Sequence, residues 1–251
     1  LMLVDVILPN FNKGEYLEEA IDSVLSQTYK NWKLYIIDDH SSDNSYKVLQ
    51  KFENQENIFV KKLYKNMGPS FCRNLGLRIS NSQFIAFLDS DDFWTKNKLE
   101  LQINFMKKNK YEFTFTDYTP FLQKKNEKNF IKSTNISPSL DFKKFTQNSS
   151  INTSTMMITR TIVDNLKFKK IQKLEDYLFK CQILKKGIVA KKLKMNLASY
   201  RILQNSRSSQ KLKNIWYLWK INKKYLEFSF IKNFFSIFLI SINSIKKYGI
   251  K

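Results

Sequence analysis

Short apolar runs alternate with amphipathic stretches along the first hundred residues, the pattern of a sheet built from parallel strands and crossover helices. Val4–Leu8 is a buried-strand candidate, apolar except for Asp5, followed by a turn over Pro9-Asn-Phe-Asn-Lys-Gly14. Leu17, Ala20, Ile21, Val24 and Leu25 then recur at helical spacing. Leu34–Ile37, Ile58–Leu63 and Phe84–Leu88 read as three further strands. Between them, Asp43 is placed to cap a helix whose apolar face is Tyr46, Leu49 and Phe52. Pro69 can open another helix, with Phe71, Cys72, Leu75 and Ile79 on one face. Leu99, Ile103 and Met106 mark the helix after the fourth strand.

Beyond about residue 107 the regularity fades. Phe113–Thr116, Thr155–Ile158 and Ile188–Leu193 are strand candidates, and Asp176–Lys185 has helical periodicity. The stretch 121–150 is rich in Lys and Asn and is expected to be a mobile connection. From residue 210 the pattern is helical, basic and aromatic. With no repeat and no Pro/Gly-rich linker, the expectation is one continuous α/β domain over 1–210, in halves 1–118 and 119–210, with a helical tail over 211–251.

The 251 residues are 43% hydrophobic and 15% aromatic, enough for a sizeable core. Leu1-Met-Leu-Val-Asp5 has no basic segment and does not read as a signal peptide. Cys72 and Cys181 match neither a disulfide framework nor a metal ligand set and read as two reduced thiols. The formal charge of +21 invites a nucleic-acid reading. Against it, the excess is lysine: the arginines are Arg73, Arg78, Arg160, Arg201 and Arg207, and no nucleic-acid-binding motif is present. No nucleic-acid partner is expected; the charge favours anionic membrane surface or phosphorylated ligands.

Candidate chemistry lies in acidic groups at strand ends, the edge of an open α/β sheet where ligands bind. Asp38-Asp39 ends one predicted strand and Asp89-Ser90-Asp91-Asp92 another. Carboxylates crowded at a buried strand end repel one another and are costly to desolvate, and a cation relieves both. Mg²⁺ or Mn²⁺ suits the pattern, taking one or two carboxylates together with substrate phosphate oxygens. Asp89 and Asp91, two apart on extended chain, point to one side, so one can hold a metal while the other accepts from a ligand hydroxyl. Asp92 is expected to cap the following helix.

Four ordered stretches carry a resemblance to the family 2 glycosyltransferases of GT-A fold. They are Val6-Ile-Leu-Pro-Asn-Phe-Asn-Lys13, Leu17-Glu-Glu-Ala-Ile-Asp-Ser-Val-Leu-Ser-Gln-Thr28, Ile36-Ile-Asp-Asp-His-Ser-Ser-Asp43, and Asn66-Met-Gly68 through Arg73-Asn-Leu-Gly76 to Phe87-Leu-Asp-Ser-Asp-Asp92. The resemblance implies a Rossmann-like, mostly parallel sheet flanked by helices and an inverting transfer from a nucleotide-sugar, a UDP-sugar by preference. Pro9, Asn10 and Phe11 would line the nucleotide site, with Phe11 near the base or, alternatively, in the core. Asp39 would accept a hydrogen bond from the base and Arg73 would lie beside the nucleotide. Asp89 would face the ribose, with Ser90 next to it, and Asp91 would ligate Mn²⁺ or Mg²⁺ on the diphosphate.

Leu174-Glu-Asp-Tyr-Leu-Phe179 resembles the family's Glu-Asp motif at a helix start. It implies Asp176 as the base for the acceptor hydroxyl, with Glu175 as alternative or support. The family often continues with Tyr-Arg, then His and Ser. Here Tyr200, Arg201, Ser206 and Ser208 fit, but Leu203 stands where a histidine is expected, so a second protein ligand to the metal is in doubt. Arg201 is expected either to approach the diphosphate or to be a solvated surface group, and His40 reads as a loop residue. In the tail, Trp216, Tyr217, Trp219 and Tyr225 interleave with Lys220, Lys223 and Lys224, and the apolar run 234–242 falls well short of the ~20 residues that span a bilayer. That composition suits an interfacial element as well as a helix covering the core. A cytoplasmic protein, peripheral on the inner membrane's cytoplasmic face, acting on a cell-envelope glycan or lipid-linked acceptor is the resulting expectation. The alternatives are a nucleotidyltransferase, against which the loop 9–14 has a single glycine, and a non-catalytic nucleotide-sugar-binding protein.

Overall fold

The computed structural model describes residues 2–124, 127–131, 137–203 and 211–248. The first half follows the apolar pattern: β1 (Val4–Asn10), α1 (Gly14–Leu25), β2 (Trp32–Asp38), α2 (Ser45–Gln50), β3 (Ile58–Lys62), α3 (Pro69–Ile79) and β4 (Phe84–Phe87). β1 pairs in parallel with β2 on one side and β4 on the other, and β2 with β3. A strand covered on both faces can be continuously apolar; accordingly Val4, Val6, Ile7 and Leu8 are all fully buried. Asp5, buried among them, accepts from the Asn81 and Ser82 amides and from the Ser82 hydroxyl, so its charge is satisfied by the loop entering β4. Gly76 lets α3 lie close on β1, since a Cβ there would come within 2.5 Å of the Ile7 side chain.

The second half comprises β5 (Phe93–Trp94), α4 (Lys98–Asn109), β6 (Phe113–Lys124), β7 (Glu127–Phe130), β8 (Ser139–Leu140), α5 (Phe142–Asn148), β9 (Met157–Thr159), α6 (Glu175–Lys185), β10 (Ala190–Ile202), α7 (Lys211–Tyr225) and α8 (Phe230–Tyr248). A 3₁₀ turn over Thr153–Thr155 precedes β9. The sheet runs β3-β2-β1-β4-β9-β6-β10-β5, with β7 beside β6 and β8 beside β10. β9 is antiparallel to both β4 and β6, so the sheet changes direction next to β4. A mixed α/β sheet flanked by helices is the expected fold class.

Several local expectations are corrected. The stretch 121–150 contains the end of β6, β7, β8 and α5; its Lys-rich surface hides ordered contacts, including the Asp141 carboxylate capping α5 at the Lys144 amide. Ile79 is 42% exposed, and the buried face of α3 is instead Ser70, Cys72, Arg73, Leu75 and Gly76. Asp43 lies one residue before the N-cap of α2, Asn44, and accepts from the Ser45 and Gly14 amides, joining the starts of α2 and α1; Tyr46 is exposed, and Val48 and Leu49 are buried instead. The tail forms two helices, which pack on α5 and α6. Tyr177 donates to Asn222, Asn222 to Asn233 and Ser236, and Asn243 to the Gln147 carbonyl. Among the described residues no helix is long and apolar enough to cross a membrane.

Candidate active site

The carboxyl ends of β1, β2 and β4 open into a cleft of about 1040 Å³. All eleven residues singled out from sequence border it: Pro9, Asn10 and Phe11 after β1, Asp39 after β2, and Arg73 on α3. Asp89, Ser90 and Asp91 follow β4, Glu175 and Asp176 begin α6, and Arg201 lies on β10.

The two aspartates after β2 point to different tasks. Asp38 accepts from the Asn10 side chain at 2.7 Å and the Ser41 hydroxyl at 2.6 Å, locking the turn beyond β1 to the turn beyond β2. Asp39 accepts from the Met67 amide at 2.6 Å and the Gly68 amide at 2.8 Å, fixing the loop that opens α3. Asp39 is also hydrogen-bonded by the Cys72 thiol and borders the cleft. Phe11 is 45% exposed, which rules out the core alternative for it. His40 sits in the loop at φ 64°, as expected.

Arg73 is the hinge of the acid cluster. Its guanidinium donates to Asp89 at 2.7 Å and to Glu175 at 3.2 Å, and lies over the Phe168 ring at 5.5 Å. Burial alone lowers an arginine's proton affinity, yet Asp89, Glu175 and Asp176 raise it further, so this cation is permanent. Asp91 faces the Lys13 ammonium at 3.0 Å. Burial pushes the Asp91 carboxyl up, Lys13 pulls it down, and Asp89 adds to the upward push.

Asp92 does not cap the next helix, whose N-cap is Asn97. Instead it is buried, accepting from the Ser154 hydroxyl at 2.6 Å and the Arg201 amide at 3.0 Å. Burial and the two neighbouring aspartates hold its carboxyl well above the usual range. Ser154 Oγ in turn accepts the Asp89 amide at 3.1 Å. Arg201 is buried rather than solvated: it donates to the Asp91 carbonyl and to Glu19, with Tyr16 and Phe121 rings 4.3 and 4.7 Å away.

At the start of α6, Asp176 Oδ2 accepts from Lys180 at 2.8 Å and from Thr153 at 3.1 Å. Burial raises its proton affinity, but Lys180, Arg73 and the Thr153 hydroxyl overcome this and hold it below the usual carboxylate range. Sequence reasoning missed Lys13, Ser154, Thr153 and Lys180. Only Lys180 carries a local signal, its i+4 spacing from Asp176 on one helix face. The other three arrive by tertiary contact.

Among the described residues no group of three or more His, Cys, Asp or Glu is arranged to hold a metal. The acid cluster still fits an Mg²⁺ or Mn²⁺ ion that takes one or two carboxylates and draws its remaining ligands from phosphate oxygens. Asp91 faces the cleft with a cation already against it, the Lys13 ammonium. Ser206, Ser208 and Arg207 lie outside the described residues.

The same helices that close the cleft also present an apolar surface. Ile240, Asn243 and Ser244 of α8 border the cleft, while Phe230, Ile231, Phe234, Phe235 and Phe238 are more than half exposed on its other side. Exposed Lys213, Lys220, Lys223, Lys224 and Lys232 surround this face and the half-exposed Trp216.

Residues 5–166 match the model of Glycosyl transferase family 2. The chain is 35% identical over 228 residues to the UDP-Glc:alpha-D-GlcNAc-diphosphoundecaprenol beta-1,3-glucosyltransferase WfgD of Escherichia coli, covering 90% of this chain and 87% of that one. Its fold is similar to Staphylococcus aureus TarS 1-349 solved in complex with UDP-GlcNAc, with a TM-score of 0.73 at 17% identity over 98% of this chain and 73% of the other. It is also similar to the mannosyltransferase PcManGT of Pyrobaculum calidifontis, solved with GDP-Man and Mn²⁺, with a TM-score of 0.70 at 13% identity over 96% of this chain and 72% of that one. Family membership sets aside the nucleotidyltransferase alternative. With three of the four motif stretches, 6–13, 36–43 and 66–92, gathered on one cleft and this match over most of the first two-thirds of the chain, the protein belongs to glycosyl transferase family 2 and is a glycosyltransferase of GT-A fold.

Proposed function

We propose that the protein inverts the anomeric centre of a UDP-sugar as it transfers the sugar to a hydroxyl of a lipid-linked or cell-envelope glycan. The observation that carries this reading is the meeting, at one cleft, of the Arg73-braced acid cluster and Asp176, whose Oδ2 is held by Lys180. The Escherichia coli relative named for UDP-Glc and a diphosphoundecaprenol acceptor supports the donor and acceptor classes.

Phe11 and Asp39 would receive the base, and Asp89 would accept from the ribose. Asp91 would hold Mn²⁺ or Mg²⁺, and such an ion, when bound, supplies positive charge against the departing diphosphate. Lys13 and Arg201, which flank Asp91, would add their own charge to the same oxygens. Asp176, with Oδ2 engaged, would take the acceptor's proton on Oδ1. The acceptor oxygen bonds to the anomeric carbon from the face opposite the diphosphate, and the bonding pair of the breaking C–O bond leaves with UDP. Glu175 holds Arg73 in place and supports this arrangement. The phenylalanine face of α8 and its lysines would rest on an anionic membrane from the cytoplasmic side, bringing the cleft to a lipid-linked acceptor.

Thermal shift with UDP and Mn²⁺ tests the donor site. The wild type is expected to gain several degrees only when both are present, and Asp91→Ala to lose that gain. Equal stabilisation of the variant would remove Asp91 from the site. A panel of UDP-sugars, read by UDP release, then identifies the donor.

A further inference from the structure

Lys180 is almost completely enclosed beside the site, with 2% of its side chain exposed. Its ammonium donates to the Ile151 carbonyl at 2.8 Å, the Thr153 hydroxyl at 3.0 Å and Asp176 Oδ2 at 2.8 Å. Three donors thus meet three acceptors, which uses every N–H of the group. A lysine buried this completely is rare and costly unless each proton is matched, and nothing in the packing of α6 calls for a charge at this position. Its neighbours Phe179, Cys181 and Ile183 are fully buried apolar residues.

We propose that Lys180 is a positioning residue for the transfer reaction, one that keeps Asp176 ionised and fixes its Oδ1 toward the acceptor. This rests on Asp176 being the base. The geometry supplies the reason for such a device. Glu175 is adjacent on α6, and Asp89 and Asp91 border the same cleft, where an anionic donor would add further negative charge. Burial and neighbouring carboxylates push a carboxyl's pKa up, as at Asp92. Of the cations near Asp176, Arg73 is already bound to Asp89 and Glu175, whereas Lys180 bonds to Asp176 itself. Thr153 couples the pair to the 3₁₀ turn whose Ser154 holds the Asp89 amide, so Asp176 and Asp89 are referenced to one turn.

The opposite-charge contact is of the size that moves a carboxyl by about 1–3 pH units. The test is the pH dependence of kcat/KM for UDP release from UDP-glucose or UDP-GlcNAc, alongside ¹³C-carboxylate titration of Asp176, assigned with Asp176→Asn. Lys180→Met is expected to move the acid limb and the titration upward by about 1–3 units. Lys180→Arg is expected to leave both near the wild-type position, and Thr153→Val to produce a smaller upward move. The position of a limb does not depend on how much of a weakened variant is folded. An unmoved limb and titration in Lys180→Met would overturn the proposal while leaving Asp176 as base. Full turnover by Asp176→Asn would instead remove the base reading on which it rests.

Discussion

Arg73 donates to Asp89 at 2.7 Å from a position on α3 that is almost sealed from solvent. Its other terminal nitrogen reaches Glu175 on α6, so one guanidinium joins the acid cluster after β4 to the helix that carries Asp176. Removing one partner from a buried ion pair costs about 3–5 kcal/mol, because the remaining charge stays buried. Arg73→Met is therefore expected to lower stability by that amount in urea unfolding. Arg73→Lys is expected to recover part of it, since an ammonium has no planar fork to span both carboxylates. A loss below about 1 kcal/mol for Arg73→Met would show that the carboxylates find other partners.

Asp92 acts through the backbone. It joins the Ser154 hydroxyl to the Arg201 amide, and Ser154 holds the Asp89 amide. Asp92→Ala is expected to cost about 1–3 kcal/mol for the unsatisfied groups left behind. It should also weaken UDP binding through displacement of Asp89, whereas Asp92→Asn should retain most of both. Calorimetric titration with UDP checks this, and unchanged affinity in Asp92→Ala would refute the link.

Lys98 begins α4 with its ammonium 3.7 Å from the centre of the Trp94 ring, fully buried and with no hydrogen-bond acceptor among the described residues. Burial holds its pKa well below the ordinary lysine value. Between the folded value and the unfolded one, about 10.4, the unfolded chain binds the extra proton, so stability rises with pH through that window and is penalised below it. The cation–π contact returns about 2 kcal/mol, less than the desolvation it opposes. Lys98→Met is expected to raise Tm at pH 7 and to flatten the rise of Tm between pH 7 and 10. A lower Tm for the variant would show that the ring contact outweighs burial.

The α8 face predicts binding to anionic vesicles. Phosphatidylglycerol vesicles should sediment the wild type, with binding falling as salt screens the lysines. Replacing Phe234, Phe235 and Phe238 by Glu should abolish sedimentation without changing UDP release. Retention of vesicle binding by this variant would contradict the surface assignment.

Legibility in the sequence tracked burial. The strands β1, β2 and β4 are largely buried and appear as short, mainly apolar runs. β10 was visible only at its start, because exposed Lys194, Met195 and Asn196 interrupt it where its pairing with β6 slips. β5 spans two residues and leaves no periodic signal. Site residues on strand ends were legible because a carboxylate there conflicts with its surroundings. Lys13, Thr153 and Ser154 were not, since nothing in their own segments distinguishes them from surface residues. Arg201 presented two readings, and only its contacts with Glu19 and the Asp91 carbonyl choose between them.

Donor binding and acceptor deprotonation fall to separate groups of the cleft, the acid cluster after β4 and Asp176 on α6. Asp176→Asn keeps the shape of the side chain and removes its capacity as base. The account predicts UDP affinity within about twofold of wild type by calorimetry in the presence of Mn²⁺, with turnover reduced by about 10²–10⁴-fold, the range of a lost general base. Turnover at the wild-type rate, or loss of UDP binding in step with loss of turnover, would contradict it.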